Sequence, residues 1–511
     1  MHKTMNKIMH QQVYHSHDIQ AWERRWFAQQ NSSFGLMQQV AWSIAQRLIQ
    51  QFQSHHSLDS VRPIDKIAVW CGAGNNAGDG YCLASYLKQA GYEVEIYSAE
   101  AGHSTDLKSA MHIAQLNQVK IHQHFYITQQ FDCHIDALFG IGLNRDLDES
   151  WQGIIQKFNA QSGLKIAIDI PSGLNANTGQ PLPIAIKADQ TFTVLGLKAG
   201  LFTGQGKEYS GQIEVISAIP KDQELKAIAQ LSPTEIELPQ RRAFGHKGSY
   251  GHVLVVGGHA EMGGAVMMAA ESAFSAGAGK VTIACDAKHH TAILSRSPNI
   301  MLRDINALNE SDITALLNHV DAVCFGMGLG RDDWAKQQFE QWFHPIQTTL
   351  HATQHLQIVL DADALWFLAE QPLQLHAETY LTPHPGEAAK LLNCSVAEIE
   401  NDRVQAIHQL QEKYSGQWVL KGAGSLTLED QLWICTAGNA GMGTGGMGDV
   451  LAGMIASLKA QFSDEIHLHE IVTLHALAGD YLAQKGMRGL QAHHMNEAVY
   501  QVVNYVKIQN E

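Results

Sequence analysis

The 511-residue sequence lacks the long apolar run that a transmembrane helix needs. No stretch reaches about 18 uninterrupted apolar residues, and the N-terminal segment MHKTMNKIMHQQ has no apolar core of a signal peptide. The seven cysteines are scattered, odd in number and without CxxC spacing, which disfavours a disulfide framework or a zinc site. We therefore expect a cytoplasmic protein with reduced thiols and no membrane partner.

Basic residues are too few for a general nucleic-acid surface. Lys and Arg total 35 against 50 Asp and Glu, which gives a formal net charge of −15. Phosphate backbones attract basic proteins, so we expect no nucleic-acid partner. Small anionic nucleotides remain compatible with this charge, because backbone N–H groups bind phosphates without Lys or Arg.

Apolar runs in the first half of the chain alternate between strand and helix patterns. After two amphipathic helical stretches, KIAVWC (66–71), the turn GAGNNAGDG, the helical YCLASYLKQAG and YEVEIYSA form a βαβ unit. Further strand candidates are HIDALF (134–139), LKIAIDI (164–170), TFTVLG (191–196) and QIEVISA (212–218). This alternation predicts a doubly wound α/β domain over residues 1–222.

Prolines and mixed charge interrupt the pattern at 223–243, which we predict to be a linker. A second α/β domain is predicted over 244–511, with strands in GHVLVVGG (251–258), KVTIAC (280–285), VDAVCFG (320–326), LQIVLDADAL (356–365) and GQWVLKG (416–422). Two strands in SLTLEDQLWICTA follow, and then two helices at about 447–460 and 468–484.

The segment GNAGMGTGGMGDV (438–450) carries a literal G-x-G-x-x-G at Gly443, Gly445 and Gly448. It comes late in its domain and no βαβ unit follows, so a dinucleotide fingerprint is disfavoured; no G-x-x-x-x-G-K-[ST] occurs either. Free N–H groups at the start of the following helix predict a site for a phosphate or a transferring phosphoryl group. Asp449 is either a catalytic base there or an acid that complements the helix dipole.

Several motifs in the second half resemble one enzyme family. HKGSYGHVLVVGG (246–258), FGMGLG (325–330), LDADAL (360–365), LTPHPGEAAKLL (381–392) and LKGAGS (420–425) resemble the ribokinase-like dehydratases of hydrated NADH and NADPH. CGAGNNAGDGY, DALFGIGL and IAIDIPSGLNANTG resemble the epimerase domain for the same damaged cofactor. In this order the two halves resemble the bacterial bifunctional NAD(P)H-hydrate repair enzymes, which implies a Rossmann-like domain followed by a ribokinase-like domain.

The resemblance implies two activities and their cofactors. The first domain would interconvert the R and S forms of the hydrate, and the second would dehydrate the S form at the expense of ADP, giving AMP and phosphate. Asp449 would take the proton of the C6 hydroxyl while loop N–H groups and Mg²⁺ stabilise the phosphoryl group. The preference for ADP or ATP remains open, as does the preference for NADH hydrate or NADPH hydrate.

For the dehydratase, the resemblance implies two sets of binding residues. Nucleotide binding falls to Lys421, Gly422, Ala423, Gly424, Ser425 and Gly448, and the hydrated dinucleotide would contact Ala265, Gly328, His384 and Asp449. Helix packing is the alternative for Ala265, and a tight turn is the alternative for Gly328. Asp361 and Asp363 are candidates either to assist Mg²⁺ through water or to cap the next helix.

For the epimerase, the resemblance implies a substrate site in two loops. These are Asn75, Asn76, Ala77, Gly78 and Asp79, and Gly140, Ile141, Gly142, Leu143, Asn144, Arg145 and Asp146. Asp169 would contact the substrate and move a proton, with a turn cap before Pro171 as the alternative. Potassium would be bound by Asn76, Asp136 and Ser172, whose oxygen atoms suit a hard cation. Lys198 is left without a role.

Two rival interpretations of the sequence remain. A ribokinase-like kinase for a hydroxymethyl-bearing vitamin shares the glycine loop and the terminal aspartate, but it does not explain the first domain. Alternatively, the first domain is a non-catalytic dinucleotide sensor that regulates the second. We also expect a homo-oligomer whose only other partners are small-molecule substrates.

Overall fold

The computed structural model describes residues 12–56, 63–99, 102, 104–241, 243–353 and 356–504. Residues 1–11, which carry most of the segment used to argue against a signal peptide, lie outside that part of the chain. The chain divides into two compact units, Met1–Gln230 and Leu231–Glu511. The division falls inside the predicted linker 223–243, where the short strand β10 (Ala229–Leu231) forms; the assignment of a linker stays a prediction.

The first unit is built on a parallel sheet, which has seven strands in the described residues. They are β2 (Lys66–Cys71), β3 (Glu93–Ser98), β4 (Lys120–His122), β5 (Cys133–Ala137), β6 (Leu164–Ile168), β7 (Gln190–Val194) and β9 (Gln212–Ile216). Their order in the sheet is β4-β3-β2-β5-β6-β7-β9. The order therefore runs outward in both directions from the pair β2 and β5, as in a Rossmann-like sheet.

Helices cover this sheet and short strands complete the unit. The helices are Ser16–Ala28, Ser33–His56, Asn75–Gln89, Thr105–Leu116, Glu149–Asn159 and Gly206–Ser210. Strand β1 (Gln12–Tyr14) pairs in parallel with β8 (Leu197–Lys198) and antiparallel with β10. β2 is buried at every residue after Lys66, as expected of a strand covered on both faces.

The described residues of the second unit contribute nine strands to a mixed sheet. They are β11 (His252–Val256), β12 (Lys280–Cys285), β13 (Met301–Asp304), β14 (Ala322–Phe325), β15 (Gln357–Leu360), β16 (Thr379–Leu381), β17 (Gln417–Leu420), β18 (Leu426–Leu428) and β19 (Leu432–Ile434). The order is β13-β12-β11-β14-β15-β16-β17-β18-β19, parallel as far as β17 and antiparallel beyond it.

Eleven α-helices lie around this sheet in the described part of the unit. They are Gly263–Ser275, His290–Arg296, Glu310–Leu317, Asp333–Thr353, Asp363–Glu370, Pro385–Leu392, Val396–Asn401, Arg403–Tyr414, Met447–Phe462, Leu468–Ala483 and Met495–Asn504. The Gly263–Ser275 and Met447–Phe462 helices pack closely. Ser272 Oγ donates to Val450 O at 2.9 Å, and Ser457 Oγ donates to Ala273 O at 2.7 Å. This packing fixes the helix that carries Asp449.

The prediction of two α/β domains is confirmed. One predicted strand was too long: LQIVLDADAL forms a strand only to Leu360, and a helix begins at Asp363. Between them Ala362 has a φ of 51° and a ψ of −122°, a conformation outside the strand region that ends the strand. Along the described residues, no helix combines the length and apolar character needed to cross a membrane.

Candidate active sites

The first unit contains a cavity of about 420 Å³ where the order of its sheet reverses. Ligand sites of open α/β sheets form at such a point, at the carboxyl ends of the strands. The wall of the cavity includes the loops after β2 and β5, together with Asp169 after β6. Gly72 allows the two loops to approach, because a Cβ there would lie 2.0 Å from the carbonyl oxygen of Leu138.

Most residues predicted to bind the epimerase substrate line this cavity: Asn75, Asn76, Asp79, Gly140, Ile141, Gly142, Leu143, Arg145 and Asp169. Ala77 and Gly78 are buried in the Asn75–Gln89 helix, and a Cβ at Gly78 would meet the Met37 side chain. Within the described part of the chain, Asn144 and Asp146 do not belong to the wall. The substrate contacts themselves stay predictions.

Asp169 is held in an unusual way. Its φ is 69°, a left-handed conformation that costs a non-glycine residue about 1–3 kcal/mol. Its carboxylate accepts hydrogen bonds from Ile141 N at 3.1 Å and Val194 N at 3.3 Å, and its Oδ1 lies 2.6 Å from Lys198 Nζ. Lys198 is fully buried and also donates to Thr193 Oγ1 at 2.9 Å and Val194 O at 2.8 Å. A buried lysine aimed at the carboxylate goes beyond what a turn cap requires.

Glu23, Asp79 and Asp106 share the cavity wall with Asp169, and two of these three carboxyl groups have shifted pKa values. Burial raises the pKa of Asp79 well above its usual range, and the negative charges of Asp169 and Glu23 raise it further. Burial also raises the pKa of Glu23 to about 7, with Asp169 adding to the rise and Lys198 opposing it. Acids with shifted pKa values clustered in a cleft are typical of a catalytic site.

The residues predicted to bind potassium converge only in part. The buried Asp136 accepts hydrogen bonds from Leu138 N at 3.0 Å, Ser172 N at 2.7 Å and Ser172 Oγ at 2.6 Å. Burial raises the pKa of Asp136 to about 7, although these hydrogen bonds act to lower it. The amide N–H of Asn76 points to Ile168 O at 3.5 Å. Carboxylate, hydroxyl and amide oxygens fit a hard monovalent cation, while ligation by these three residues stays a prediction.

In the second unit, predicted site residues follow four adjacent parallel strands. Gly328 follows β14, Asp361 follows β15, His384 follows β16 and Lys421 follows β17. Lys421 Nζ donates to Asp361 Oδ1 at 2.8 Å, and Thr382 Oγ1 donates to the same oxygen at 2.9 Å. The structure therefore brings the predicted nucleotide lysine and the predicted magnesium aspartate into direct contact.

Asp449 belongs to the same group of charges. It lies in the first turn of the Met447–Phe462 helix, next to Gly448, where a Cβ would lie 3.0 Å from Lys421 Nζ and 3.3 Å from Asp361 Oδ2. Burial raises the pKa of Asp449 to about 7; Asp361 adds to the rise and Lys421 opposes it. An acid that only complemented the helix dipole would be stabilised in its charged form. A carboxylate that titrates near neutrality suits a general base.

The beginning of the glycine loop is fixed by Asp480. Asp480 accepts hydrogen bonds from Gly438 N and from Asn439 Nδ2, both at 2.8 Å. Asn439 in turn caps a short 3-10 turn, and Gly446 precedes the helix with a φ of 93°. The first amides of an α-helix have no intrahelical acceptor, so those of Met447, Gly448 and Asp449 are available to an anion.

Glu387 links His384 to Lys421. His384 N donates to Glu387 Oε2 at 2.8 Å, and Lys421 Nζ lies 3.8 Å from the same oxygen. Burial raises the pKa of Glu387 to about 7, against the opposing effect of Lys421. The His384 ring accepts hydrogen bonds at Nδ1 from the amides of Gly386 and Glu387, which caps the Pro385–Leu392 helix. Substrate contact by His384 stays a prediction.

Ala265 and Gly328 are neighbours. Gly328 has a φ of 58°, and a Cβ there would lie 3.1 Å from the Ala265 Cβ and 2.6 Å from Met262 O. The tight turn and the close packing that we gave as alternatives are therefore both present. Both features are compatible with a site wall against which the hydrated dinucleotide packs. Contact of Ala265 and Gly328 with the substrate stays a prediction.

The two aspartates of LDADAL are already engaged. Asp363 accepts hydrogen bonds from Gly330 N at 2.9 Å and from Arg331 Nε at 2.8 Å, and Asp361 is paired with Lys421. Among the described residues, no group of three or more His, Cys, Asp or Glu side chains could hold a metal ion. Mg²⁺ keeps most of its ligands as water and phosphate, so the two aspartates fit only a supporting role.

The predicted nucleotide loop is held by a buried arginine. Arg403 is almost fully buried and donates to Leu420 O at 3.1 Å and Lys421 O at 3.0 Å. Ser425 Oγ donates to Gly422 O at 3.0 Å and accepts from Gly422 N at 3.3 Å, closing the turn. Ala423 is exposed and Gly424 is buried. The loop shape is thus fixed before any ligand binds.

Comparison with known proteins identifies the family of the chain. The family model described as YjeF-related protein N-terminus matches residues 33–200, and the one described as NAD(P)H-hydrate dehydratase matches residues 253–501. A bifunctional NAD(P)H-hydrate repair enzyme of Coxiella burnetii is 38% identical over 445 residues, which cover 84% of this chain and 88% of the relative. The chain belongs to the bifunctional NAD(P)H-hydrate repair enzyme family.

A second relative agrees with this membership. The bifunctional NAD(P)H-hydrate repair enzyme of Escherichia coli K12 is 37% identical over 452 residues, covering 85% of this chain and 84% of the relative. A solved ribokinase-like superfamily protein from Enterococcus faecalis V583 is 27% identical and covers 53% of this chain and 93% of its own, with a TM-score of 0.48. The predicted family and the predicted fold class of two α/β domains are confirmed.

Several charged residues around both sites were not among the site residues predicted from the sequence. Lys198 had a usable signal, since GLKAG directly follows the predicted strand TFTVLG. Glu387 is three residues after His384 in PHPGE, the spacing of a capping box. Arg403 and Glu23 lie in ordinary helical patterns, and nothing in the sequence distinguished them from surface charges.

Proposed function

We propose that the first unit interconverts the R and S forms of hydrated NADH and NADPH. We further propose that the second unit dehydrates the S form at the expense of ADP, giving NAD(P)H, AMP and phosphate, with ATP as the alternative co-substrate. Residues 1–222 would form the epimerase domain, 223–243 the linker and 244–511 the dehydratase domain. The observation that carries the proposal is the position of Asp449, beside Lys421 and Asp361 at the start of a glycine-led helix.

Dehydration requires a better leaving group than hydroxide. Asp449 would remove the proton from the C6 hydroxyl while the terminal phosphoryl group of ADP transfers to its oxygen. Lys421 and the first amides of the Met447–Phe462 helix would stabilise the charge of that phosphoryl group. Phosphate then leaves C6 with the bonding electrons, and loss of a proton from C5 restores the dihydronicotinamide ring.

Epimerisation at C6 begins with a proton transfer at the hydroxyl, whether the ring opens or water leaves. Asp169 is the residue proposed to move that proton, because it lines the cavity and is oriented by Lys198. Lys198 acts here as a positioning residue. It holds one carboxylate oxygen, while Ile141 N and Val194 N complete the cradle.

Two cations complete the proposal. Potassium would be held by Asn76, Asp136 and Ser172, and it would supply positive charge beside the substrate loop. Mg²⁺ would enter with the nucleotide phosphates and neutralise their charge, with Asp361 and Asp363 in a supporting role through water. We also propose that the protein is cytoplasmic and forms a homo-oligomer. Light scattering of the purified chain would test the oligomeric state.

The test of this function is the stoichiometry of the products. The full chain, the S hydrate and ADP should yield NAD(P)H, AMP and phosphate in equal amounts, measured by chromatography. Replacing the hydrate by vitamin alcohols with ATP should yield no phosphorylated alcohol. Phosphorylation of a vitamin alcohol without turnover of the hydrate would instead identify a small-molecule kinase.

Gly448→Ala is expected to weaken ADP binding about tenfold, a loss of about 1.4 kcal/mol. The new methyl group would lie 3.0 Å from Lys421 Nζ and displace it from Asp361. Isothermal titration calorimetry with ADP measures the affinity. Gly445→Ala is the matched control, since a Cβ there would meet nothing within 4 Å. Equal affinities of the two variants would contradict the role of Lys421 and Gly448.

The dehydratase rate is expected to depend on the protonation of Asp449. Its pKa is raised to about 7, so the base is ionised above that pH and the rate should fall as the pH drops through 7. The free energy of unfolding should change with pH in the opposite direction to the rate. Because the pKa is raised in the folded state, ionising the buried acid destabilises the fold as the pH rises from about 4 to 7. Asp449→Asn should therefore raise the melting temperature more at pH 8 than at pH 5. A rate that is flat between pH 5 and 8 would contradict the assignment of Asp449.

A further inference from the structure

Glu23 lines the epimerase cavity from a helix that none of the predicted site residues occupies. Ile19, Glu23 and Phe27 are spaced four residues apart in the Ser16–Ala28 helix, and all three line the cavity. Residues at this spacing share one face of a helix. The cavity-facing stripe of this helix is therefore apolar above and below a single carboxyl group.

The helix Ser33–His56 contributes a second apolar wall, with Leu36, Met37 and Val40. Glu23 thus faces the cavity between apolar side chains of its own helix and of the Ser33–His56 helix. No hydrogen bond to its carboxyl group is present among the residues that the structure describes. By contrast, the nearby Arg25 on the same helix is an ion-pair partner of Asp222 and Glu224. A glutamate kept only for solubility has no reason to point at the substrate loops.

The charges that face Glu23 come from every side of the cavity. Asp169 and Asp79 are acidic, and the raised pKa of Asp79 favours its neutral form. Lys198 and the adjacent Arg24 are positive, and the wall also includes Asp106 and Arg145. The two acids of interest differ in their surroundings: Asp169 is paired with Lys198 at 2.6 Å, whereas Glu23 has no such partner in the described part of the chain. Carboxyl groups in contrasting environments divide into an acid and a base.

We propose that Glu23 is a second catalytic acid–base residue of the epimerase, which donates a proton to the ring nitrogen N1 while Asp169 removes the proton of the C6 hydroxyl. This inference rests on the proposed epimerase function. It adds a residue from the N-terminal helix to a site otherwise built from the ends of the sheet strands.

The proposed step opens the ring and closes it again. Asp169 takes the hydroxyl proton, the C6–O bond becomes a carbonyl, and the C6–N1 electron pair moves to N1, which receives the proton of Glu23. Rotation about the C5–C6 bond presents the other face of the aldehyde. N1 then attacks that face, returns its proton to Glu23, and the new alkoxide takes back the proton from Asp169. Atoms, electrons and both protonation states are restored.

Burial of the Glu23 carboxyl, reinforced by Asp169, accounts for its suitability as an acid at neutral pH. Its pKa is raised to about 7, so it carries a proton below that pH while Asp169 is paired with Lys198. The rate of interconversion should therefore fall as the pH rises through 7. This limb of the pH profile belongs to Glu23 and would disappear when the carboxyl group is replaced.

The test compares Glu23→Gln with wild type in the full chain, without nucleotide, starting from each purified epimer. We expect the interconversion rate to fall by about 10²-fold or more, and the decline above pH 7 to vanish. Glu93→Gln, which removes an exposed carboxylate on β3, should match wild type in rate and profile. Dehydration of the S epimer with ADP in the Glu23→Gln protein serves as the internal control and should be unchanged.

Three outcomes are decisive. A Glu23→Gln variant with the wild-type rate and pH profile would overturn the inference. If Glu23→Gln does not fold, Glu23→Asp is the second variant, and it should retain a decline with pH at a reduced rate; a wild-type rate in Glu23→Asp with no pH dependence would also overturn it. Failure of wild type itself to interconvert the epimers would instead refute the proposed epimerase function.

Discussion

Replacing Asp449 with asparagine is expected to lower the rate of S-hydrate dehydration by about 10²- to 10⁴-fold while leaving ADP binding nearly unchanged. The amide keeps the shape of the side chain but cannot accept the hydroxyl proton. The phosphate contacts proposed for the site come from Lys421 and helix amides, which the substitution leaves in place. Single-turnover rates and calorimetry with ADP, measured on the same protein, separate chemistry from binding.

The alternative role of Asp449 predicts a much smaller change. An acid that complements a helix dipole contributes about 0.3–1 kcal/mol, mainly to stability. Asp333→Asn is the matched control, because Asp333 is an exposed acid in the first turn of another helix of the same unit. If Asp449→Asn behaves like Asp333→Asn, with turnover close to wild type, Asp449 is not the base.

Replacing Lys198 with methionine is expected to abolish epimerisation and to destabilise the first unit by about 3–5 kcal/mol. The lysine is completely buried, and its removal leaves the Asp169 carboxylate, itself only 11% exposed, without the opposing charge. A buried charge that loses its partner costs more than the pair contributes. Denaturant unfolding and the rate of R-to-S conversion measure the two effects.

The double variant Lys198→Met/Asp169→Asn keeps this prediction testable if the single variant unfolds. Removing both charges should recover most of the lost stability, since the methionine no longer faces an ionised carboxylate. Activity should not return, because the proposed proton carrier is absent. Strictly additive losses of stability, or recovery of epimerisation in the double variant, would contradict the account of the ion pair.

The strands and the order of motifs were predictable from sequence, because apolar runs bounded by glycine turns mark buried parallel strands. Asp449 and Asp169 could also be selected from the sequence as candidate site residues, because each ends a motif that has a chemical rationale. The partners of these acids were not, because Lys198 is 29 residues from Asp169, and Lys421 is 60 residues from Asp361. Such contacts depend on how strand ends meet.

Backbone conformation was the other feature hidden from the sequence. Asp169 and Ala362 adopt φ values of 69° and 51°, which no local signal predicts for these residue types. Both lie within two residues of a strand end in a proposed site, where surrounding structure can maintain strain. Glu23 was not predicted for a different reason. The sequence pattern of its helix is amphipathic, and this pattern does not indicate which side chain faces the cavity.

The most direct test of the two-unit account follows the R and S epimers by chromatography, with and without ADP, in the full chain. Without ADP, either purified epimer should become a mixture of both, and no NAD(P)H should form. With ADP, both epimers should disappear into NAD(P)H, and an Asp169→Asn variant should consume the S epimer and leave the R epimer behind. Formation of NAD(P)H without nucleotide, or rapid loss of the R epimer in Asp169→Asn, would contradict the account.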